Sequence, residues 1–350
     1  MNPATIPAES ATAAVMVMAL TAYALLGGAD FGAGVWDLLA RGPRAEAQRN
    51  LIAHAIGPVW EANHVWLIIV VVLLFTGFPA AFAAIVTALH VPLSLMLIGI
   101  VLRGSAFTFR SYDNTELGRR RWNRAFAMPS VVTPVLLGMI LGAVAAGNLP
   151  ARPTTVGDLF GPWLRPFPIA VGFFTLGLFA YLAAVYLILE TDEPALRDDF
   201  RRRALIAAVA VGALAYAVYL LARDAAPLVF QGLNSASWGF QIRVATGAFA
   251  ILALTGLWFR LDRLARGAAM AQVALILWGC ALAQSPYLVP PTLSIRNAAA
   301  PAVVHRLLLG ALAIGSMILL PSLYYMFRVF KGHTLMRNSE FGLRNAEKTG

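Results

Sequence analysis

The stretch GPVWEANHVW, residues 57–66, runs without interruption into LIIVVVLLF, residues 67–75. The second part has no polar side chain and reads as a helix inside hydrocarbon. Glu61, Asn63 and His64 therefore sit at or within the edge of a membrane span. A carboxylate at mid-span costs about 2.5–3.5 kcal/mol on insertion scales, so ionisable groups kept there usually serve ions, protons or electrons. The stretch marks an integral membrane protein with polar chemistry inside the bilayer.

The rest of the chain agrees. Of 350 residues 59% are hydrophobic and 13% charged, where a soluble domain carries about 25% charged residues. Apolar windows of about 20 residues can cross the bilayer. Nine are present, near 10–39, 51–76, 79–103, 126–146, 167–189, 204–222, 243–260, 268–284 and 303–327. The predicted fold is all-α and polytopic, a single integral membrane domain over 1–350. Spans 1–4 and 5–8 are read as two four-helix bundles, with the ninth helix peripheral. Alternate loops hold 21 of the 27 basic residues, among them Arg41, Arg44, Arg119–Arg121, Arg201–Arg203 and Arg260. Because basic loops stay cytoplasmic, the N-terminus is placed outside and the C-terminus inside. The net charge of +10 thus reports topology rather than a nucleic-acid partner. The single cysteine, Cys280, is read as a core residue and excludes a disulfide framework within the chain.

Asp30 lies among Gly28, Gly32 and Gly34 in span 1. Small residues four apart let helices approach closely. Asp30 reads either as a proton-conducting carboxylate or as an acid bonded across such a contact. Glu61 and His64, three apart, share a helix face; their ordinary pKa values bracket a range that burial can tune, which suits proton transfer. Di-iron bundles use this spacing twice with further glutamates; here it occurs once, so no metal site is predicted. A haem would need His54, His64, His90 or His305 as axial ligand. Trp60 and Trp66 read as packing residues or as the lining of a partner's cofactor. Arg103 and Arg110, seven apart, share a face. Arg103 would fix the charge of a buried carboxylate or bind an anionic group, whereas Arg110 reads as snorkelling. The acids and arginines of 190–203 read as a solvated loop.

Taken together, GADFGAG (28–34), PVWEANHVW (58–66) and RGSAFTFRS (103–111) resemble subunit II of the cytochrome bd family of quinol oxidases, in its cyanide-insensitive branch. The resemblance covers essentially the whole chain. It implies a bacterial inner-membrane heterodimer with a larger subunit I that carries two haems b, haem d and the quinol site. Quinol is then oxidised near the outer face and O₂ reduced to water with cytoplasmic protons. This chain would supply no haem ligand. It would stabilise subunit I and contribute to proton or oxygen access, with Asp30, Glu61 and His64 on the proton path. Trp60 and Arg103 would lie at the interface near the partner's haems. The resemblance leaves room for a small accessory peptide, and for a structural quinone or lipid in the bundle. Several family members have WDGNQVW where this chain has Glu61, Ala62 and His64, and carry aspartates where Gly27 and Thr108 stand, so the proton route differs in its links. The alternatives are a proton-coupled transporter with Asp30 and Glu61 as coupling acids, and a stand-alone dihaem protein.

Overall fold

The computed structural model describes residues 7–56, 60–112 and 116–346. Within these ranges the side chains of 56, 60, 61, 107, 110–112, 116–121, 123, 124, 327 and 329–346 lie outside the description. Among the described residues, thirteen helices and one two-stranded hairpin follow in order. The helices are α1 (Ala8–Leu38), α2 (Ala45–Ile56), α3 (Trp60–Gly77), α4 (Pro79–Ala88), α5 (His90–Tyr112), α6 (Glu116–Ala146) and α7 (Val156–Phe160). Then come α8 (Pro166–Ile188), α9 (Pro194–Ala225), α10 (Pro227–Ser235), α11 (Gly239–Trp258) and α12 (Asp262–Gln284). The hairpin β1 (Tyr287–Val289) and β2 (Leu293–Ser294) precedes α13 (Ala302–Ala346).

Among the described residues, seven helices are long and apolar enough to cross a membrane: α1, α6, α8, α9, α11, α12 and α13. Each coincides with a predicted span to within a few residues over its apolar part. The predicted spans at 51–76 and 79–103 take another form. The described residues of the first belong to α2 and α3, on either side of 57–59. The second is two helices, α4 and α5, broken at Leu89, and the axis turns by 115° between Ala62–Gly77 and Pro79–Ala88. The chemistry of the turn is local. Pro79 has no N–H to offer the preceding turn and restricts the residue before it. Phe78 accordingly leaves the helical region, at φ −135° and ψ 61°, and its ring is fully buried. Pro92 lies in the first turn of α5, where a missing N–H is tolerated.

The centre of the molecule is α1 against α8, with α6 and α3 at its sides. A Cβ at Gly32 would stand 1.9 Å from the carbonyl oxygen of Phe179, and one at Gly28 would meet the Phe179 ring. The glycine stripe is therefore the seam that lets α1 lie on the backbone of α8. Trp36 secures that seam by donating Nε1–H to the Ala180 carbonyl at 2.7 Å. Within α6, Pro129 and Pro134 leave the carbonyls four residues before them, those of Ala125 and Ser130, without their helical N–H; the Ser130 hydroxyl donates to the Phe126 carbonyl at 2.7 Å.

The loops collect at two ends. At one, the α1–α2 turn meets the start of α9 through Arg44 and Asp199, while Arg201 of α9 grips Asp262 of α12 with both oxygens at 2.9 and 3.0 Å. Arg201, predicted to be in solvent, is 8% exposed because Asp262 and Asp198 satisfy its charge. At the other end Gly147 adopts φ +78°, and a Cβ there would meet the Pro290 carbonyl at 2.5 Å. Beside it the backbone N–H of Ala300 donates to the Gly77 carbonyl at 2.8 Å. Cys280 lies exposed on α12 rather than in the core.

Candidate functional site

Three helices bring the polar residues of the interior together. Asp30 of α1 points away from the Gly28–Gly32 seam and faces α3, where the Asn63 amide donates Nδ2–H to its Oδ2 at 2.5 Å. Both side chains are buried, at 6% and 3% exposure. The one-turn spacing that puts Asn63 on Asp30 puts its neighbour His64 against the aromatic wall of α1. The His64 ring lies 5.9 Å from Tyr23 and 6.1 Å, edge on, from Phe31.

Arg103 of α5 enters from the other side. It is 2% exposed, with its guanidinium 4.6 Å from the centre of the Phe31 ring and 5.1 Å from that of Phe126. Its Nε–H donates to Ser130 Oγ at 3.2 Å. The arginine charge is felt by Asp30, Tyr23 and His64 alike, and the low-dielectric surroundings strengthen that attraction for the carboxylate. A cation over two aromatic faces gains about 2 kcal/mol or more when desolvated, which helps hold a guanidinium that has left water. Its buried Nη2 has no hydrogen-bond partner among the described residues.

The structure thus joins Asp30, His64 and Arg103 in one interior cluster and adds Asn63, Tyr23, Ser130 and Phe31. Tyr23 was legible in principle, since it stands seven residues before Asp30 and so on the same face of α1. Ser130 was hidden behind Pro129 in a helix that reads as plain apolar span. Trp60 and Glu61 belong to the first turn of α3, and their side chains, like that of Arg110, to which the sequence assigns roles, lie outside the description. At Gly27 a side chain would meet the Tyr23 ring at 2.8 Å, and Thr108 bonds back to the Gly104 carbonyl at 3.1 Å. A second buried acid of α1, Asp37, lies two turns beyond Asp30 at 3% exposure.

The four candidate haem histidines are dispersed over α2, α3, α5 and α13. His305 is fully buried, with Nδ1 3.0 Å from Thr12 Oγ1 and its ring against Phe78. His90 is exposed, its Nδ1 3.0 Å from the Thr87 carbonyl. Among the described residues no group of three or more His, Cys, Asp or Glu side chains could hold a metal ion.

Comparison with known proteins agrees with this architecture. Residues 8–330 match the family model described as cytochrome bd terminal oxidase subunit II. The putative cytochrome bd menaquinol oxidase subunit II of Bacillus subtilis is 24% identical over 320 residues, covering 88% of this chain and 91% of that protein. The cytochrome bd-I ubiquinol oxidase subunit 2 of Escherichia coli is 28% identical over 177 residues, 49% of this chain and 46% of that one. In the structure of bd oxidase from Geobacillus thermodenitrificans, a chain with TM-score 0.73 and 23% identity shares the fold over 92% of this chain and 98% of that one. With its family match and its bilayer-length helices, this multi-pass membrane protein belongs to the cytochrome bd terminal oxidase subunit II family.

Proposed function

We propose that this chain supports quinol oxidation coupled to O₂ reduction from beside a haem-bearing subunit I. On this reading the two haems b and haem d are held by the partner, where they supply electron transfer and oxygen chemistry. The chain forms a single domain of nine spans in the bacterial inner membrane, N-terminus outside and C-terminus in the cytoplasm. The clustering of the arginine-rich turns at one end, joined by Arg44–Asp199 and Arg201–Asp262, supports that orientation.

The observation that carries the proposal is the Asp30–Asn63 hydrogen bond inside the bundle, with Arg103 and His64 around it. A carboxylate excluded from water but bonded to an amide, within the field of a buried guanidinium, can be held charged and can accept a proton at Oδ1 or Oδ2. His64, packed on Tyr23 and Phe31, offers a second exchange point one residue beyond Asn63. Glu61 of the same turn completes the acidic set by sequence. Arg103, expected near the partner's haems, acts chiefly from within, since its burial favours the role of counter-charge to Asp30. Its remaining Nη2 donor suits an acidic group such as a haem propionate. A carrier would show broken helices in both halves; the described residues hold one bent pair.

The test is steady-state O₂ consumption by the purified complex under saturating quinol. Asp30→Asn and Glu61→Gln should each slow turnover at least tenfold while haem content stays near that of the wild type. Unchanged turnover in both would remove the proton role.

A further inference from the structure

The arginine-rich end holds a cavity of about 310 Å³ between the α1–α2 turn and the first turns of α9. Its walls carry Arg41, Arg44, Arg202 and Arg203 against one carboxylate, Asp199. That carboxylate is already engaged, by Arg44 through Nε at 2.8 Å and Nη2 at 2.6 Å and by the Gln48 amide at 2.8 Å. Arg203 is fixed in place. It donates Nη2–H to Gln48 Oε1 at 2.6 Å, and its guanidinium lies 5.4 Å from the Trp36 ring and 5.1 Å from that of Phe200. Its Nη1 is buried with no hydrogen-bond partner among the described residues. Arg41 and Arg202 are exposed and make no hydrogen bond or ion pair with any described residue. The cavity therefore presents one anchored and two exposed guanidinium groups in excess of its acid.

Its floor is apolar. Ile206 lines the cavity and begins a stripe of Ile206, Val209, Tyr216 and Leu220 down one face of α9, each more than half exposed. Arginine forks match phosphate oxygens in geometry and charge. Basic pockets between helices at the cytoplasmic surface suit anionic lipid headgroups. We propose that this cavity binds the phosphodiester of an anionic phospholipid, with the acyl chains lying along the α9 stripe. A free phosphate would use the same donors, but the apolar continuation answers to a lipid.

The test uses the delipidated complex of this chain with its natural partner, titrated with phosphatidylglycerol, phosphatidylcholine or inorganic phosphate in detergent, with binding followed by native mass spectrometry. Phosphatidylglycerol should bind at least tenfold more tightly than phosphatidylcholine. Arg41→Gln/Arg202→Gln should lose at least tenfold in that affinity, and Arg202→Gln alone at least threefold. Arg263→Gln, an exposed arginine outside the cavity, should change it less than twofold. Neither Arg41 nor Arg202 holds the fold, and unchanged phosphatidylcholine binding and helical circular dichroism would verify this. Equal affinity for the two lipids, a double variant that binds normally, or an equal loss in Arg263→Gln would overturn the site. Inorganic phosphate binding as tightly as phosphatidylglycerol would overturn the lipid as its occupant.

Discussion

Helices α8 and α13 are similar as stretches of sequence and opposite as parts of the molecule. Both are strongly apolar spans, yet 72% of the most apolar window of α8 is buried within the chain and 6% of that of α13. The difference lies in what approaches them. The backbone of α8 receives Gly28, Gly32 and the Trp36 indole from α1, and α6 meets it at Gly138 and Gly172. Gly310 and Gly315 of α13 have nothing within reach of an added Cβ. In a bilayer, apolarity carries a helix into the membrane, but lipid is as apolar as leucine, so close packing and hydrogen bonds decide which helices become interior. The contrast also locates the interior polar cluster. Asp30, Asn63 and Arg103 lie in the closely packed half, where a charge can be surrounded by protein.

The widest separation between the two regions should come from Arg103→Leu. It removes a fully buried guanidinium from Phe31, Phe126 and Ser130 Oγ, together with a positive charge that acts on the buried Asp30. The yield of assembled complex on size exclusion should fall several-fold, with Arg103→Lys recovering part of it. Normal assembly of the leucine variant would mean that the interior charge is balanced elsewhere. Next comes a matched pair of glycine substitutions. Gly32→Ala forces a methyl group against the Phe179 carbonyl and should destabilise by about 1–3 kcal/mol, as overpacking does. Gly310→Ala meets nothing and should leave the melting temperature unchanged. Equal effects would erase the distinction between spans packed inside this chain and spans on its outside.

A smaller loss is expected from Trp36→Phe, which keeps the ring but removes the bond to Ala180, worth about 1 kcal/mol. The fall should appear in thermal unfolding of the complex. His305→Ala tests the outlying helix, because His305 joins α13 to Thr12 and Phe78. Proteolysis near the start of α13 should accelerate while O₂ consumption stays within twofold of the wild type.

The smallest effect concerns pH at the arginine-rich end. Hydrogen bonds from Arg44 hold the Asp199 carboxyl below the usual carboxylate range. Asp199 sits in the polar first turns of α9, ahead of its apolar stretch. A depressed folded-state value stabilises the protein above the ordinary aspartate pKa of about 3.9. That contribution disappears as pH falls through the folded-state value. The melting-temperature gap between wild type and Asp199→Asn should be small at neutral pH, for an ion pair this exposed, and should close under acid. A gap that widens on acidification would reverse the sign.

Much of this was legible in the residues. Runs of apolar side chains marked the spans, and the alternation of arginines separated the two ends. The boundary between the spans ending at 76 and starting at 79 was legible. Hydropathy does not register a 115° turn, so neither the sharp bend at Phe78 nor the break at Leu89 was read, although Gly77-Phe78-Pro79 carries the cause of the first. Nor does it separate a core position from an outward-facing one, so the reading of Cys280 as a core residue missed its exposed place on α12. Asp30, Asn63, His64 and Arg103 stood out because polar groups are rare in such a chain. Their pairing did not, since it depends on how α1, α3 and α5 are rotated about their axes. Arg201 illustrates the same gap, as its burial depends on Asp262, 61 residues away.

The central claim is that this chain works beside haems that it does not hold. Reduced-minus-oxidised absorption spectra of the complex purified with its natural partner, and of this chain alone, test that claim most directly. Haem b and haem d bands in the complex and none in the isolated chain are the predicted result. Haem bands in the isolated chain, lost on substitution of His54, His64, His90 or His305, would contradict it.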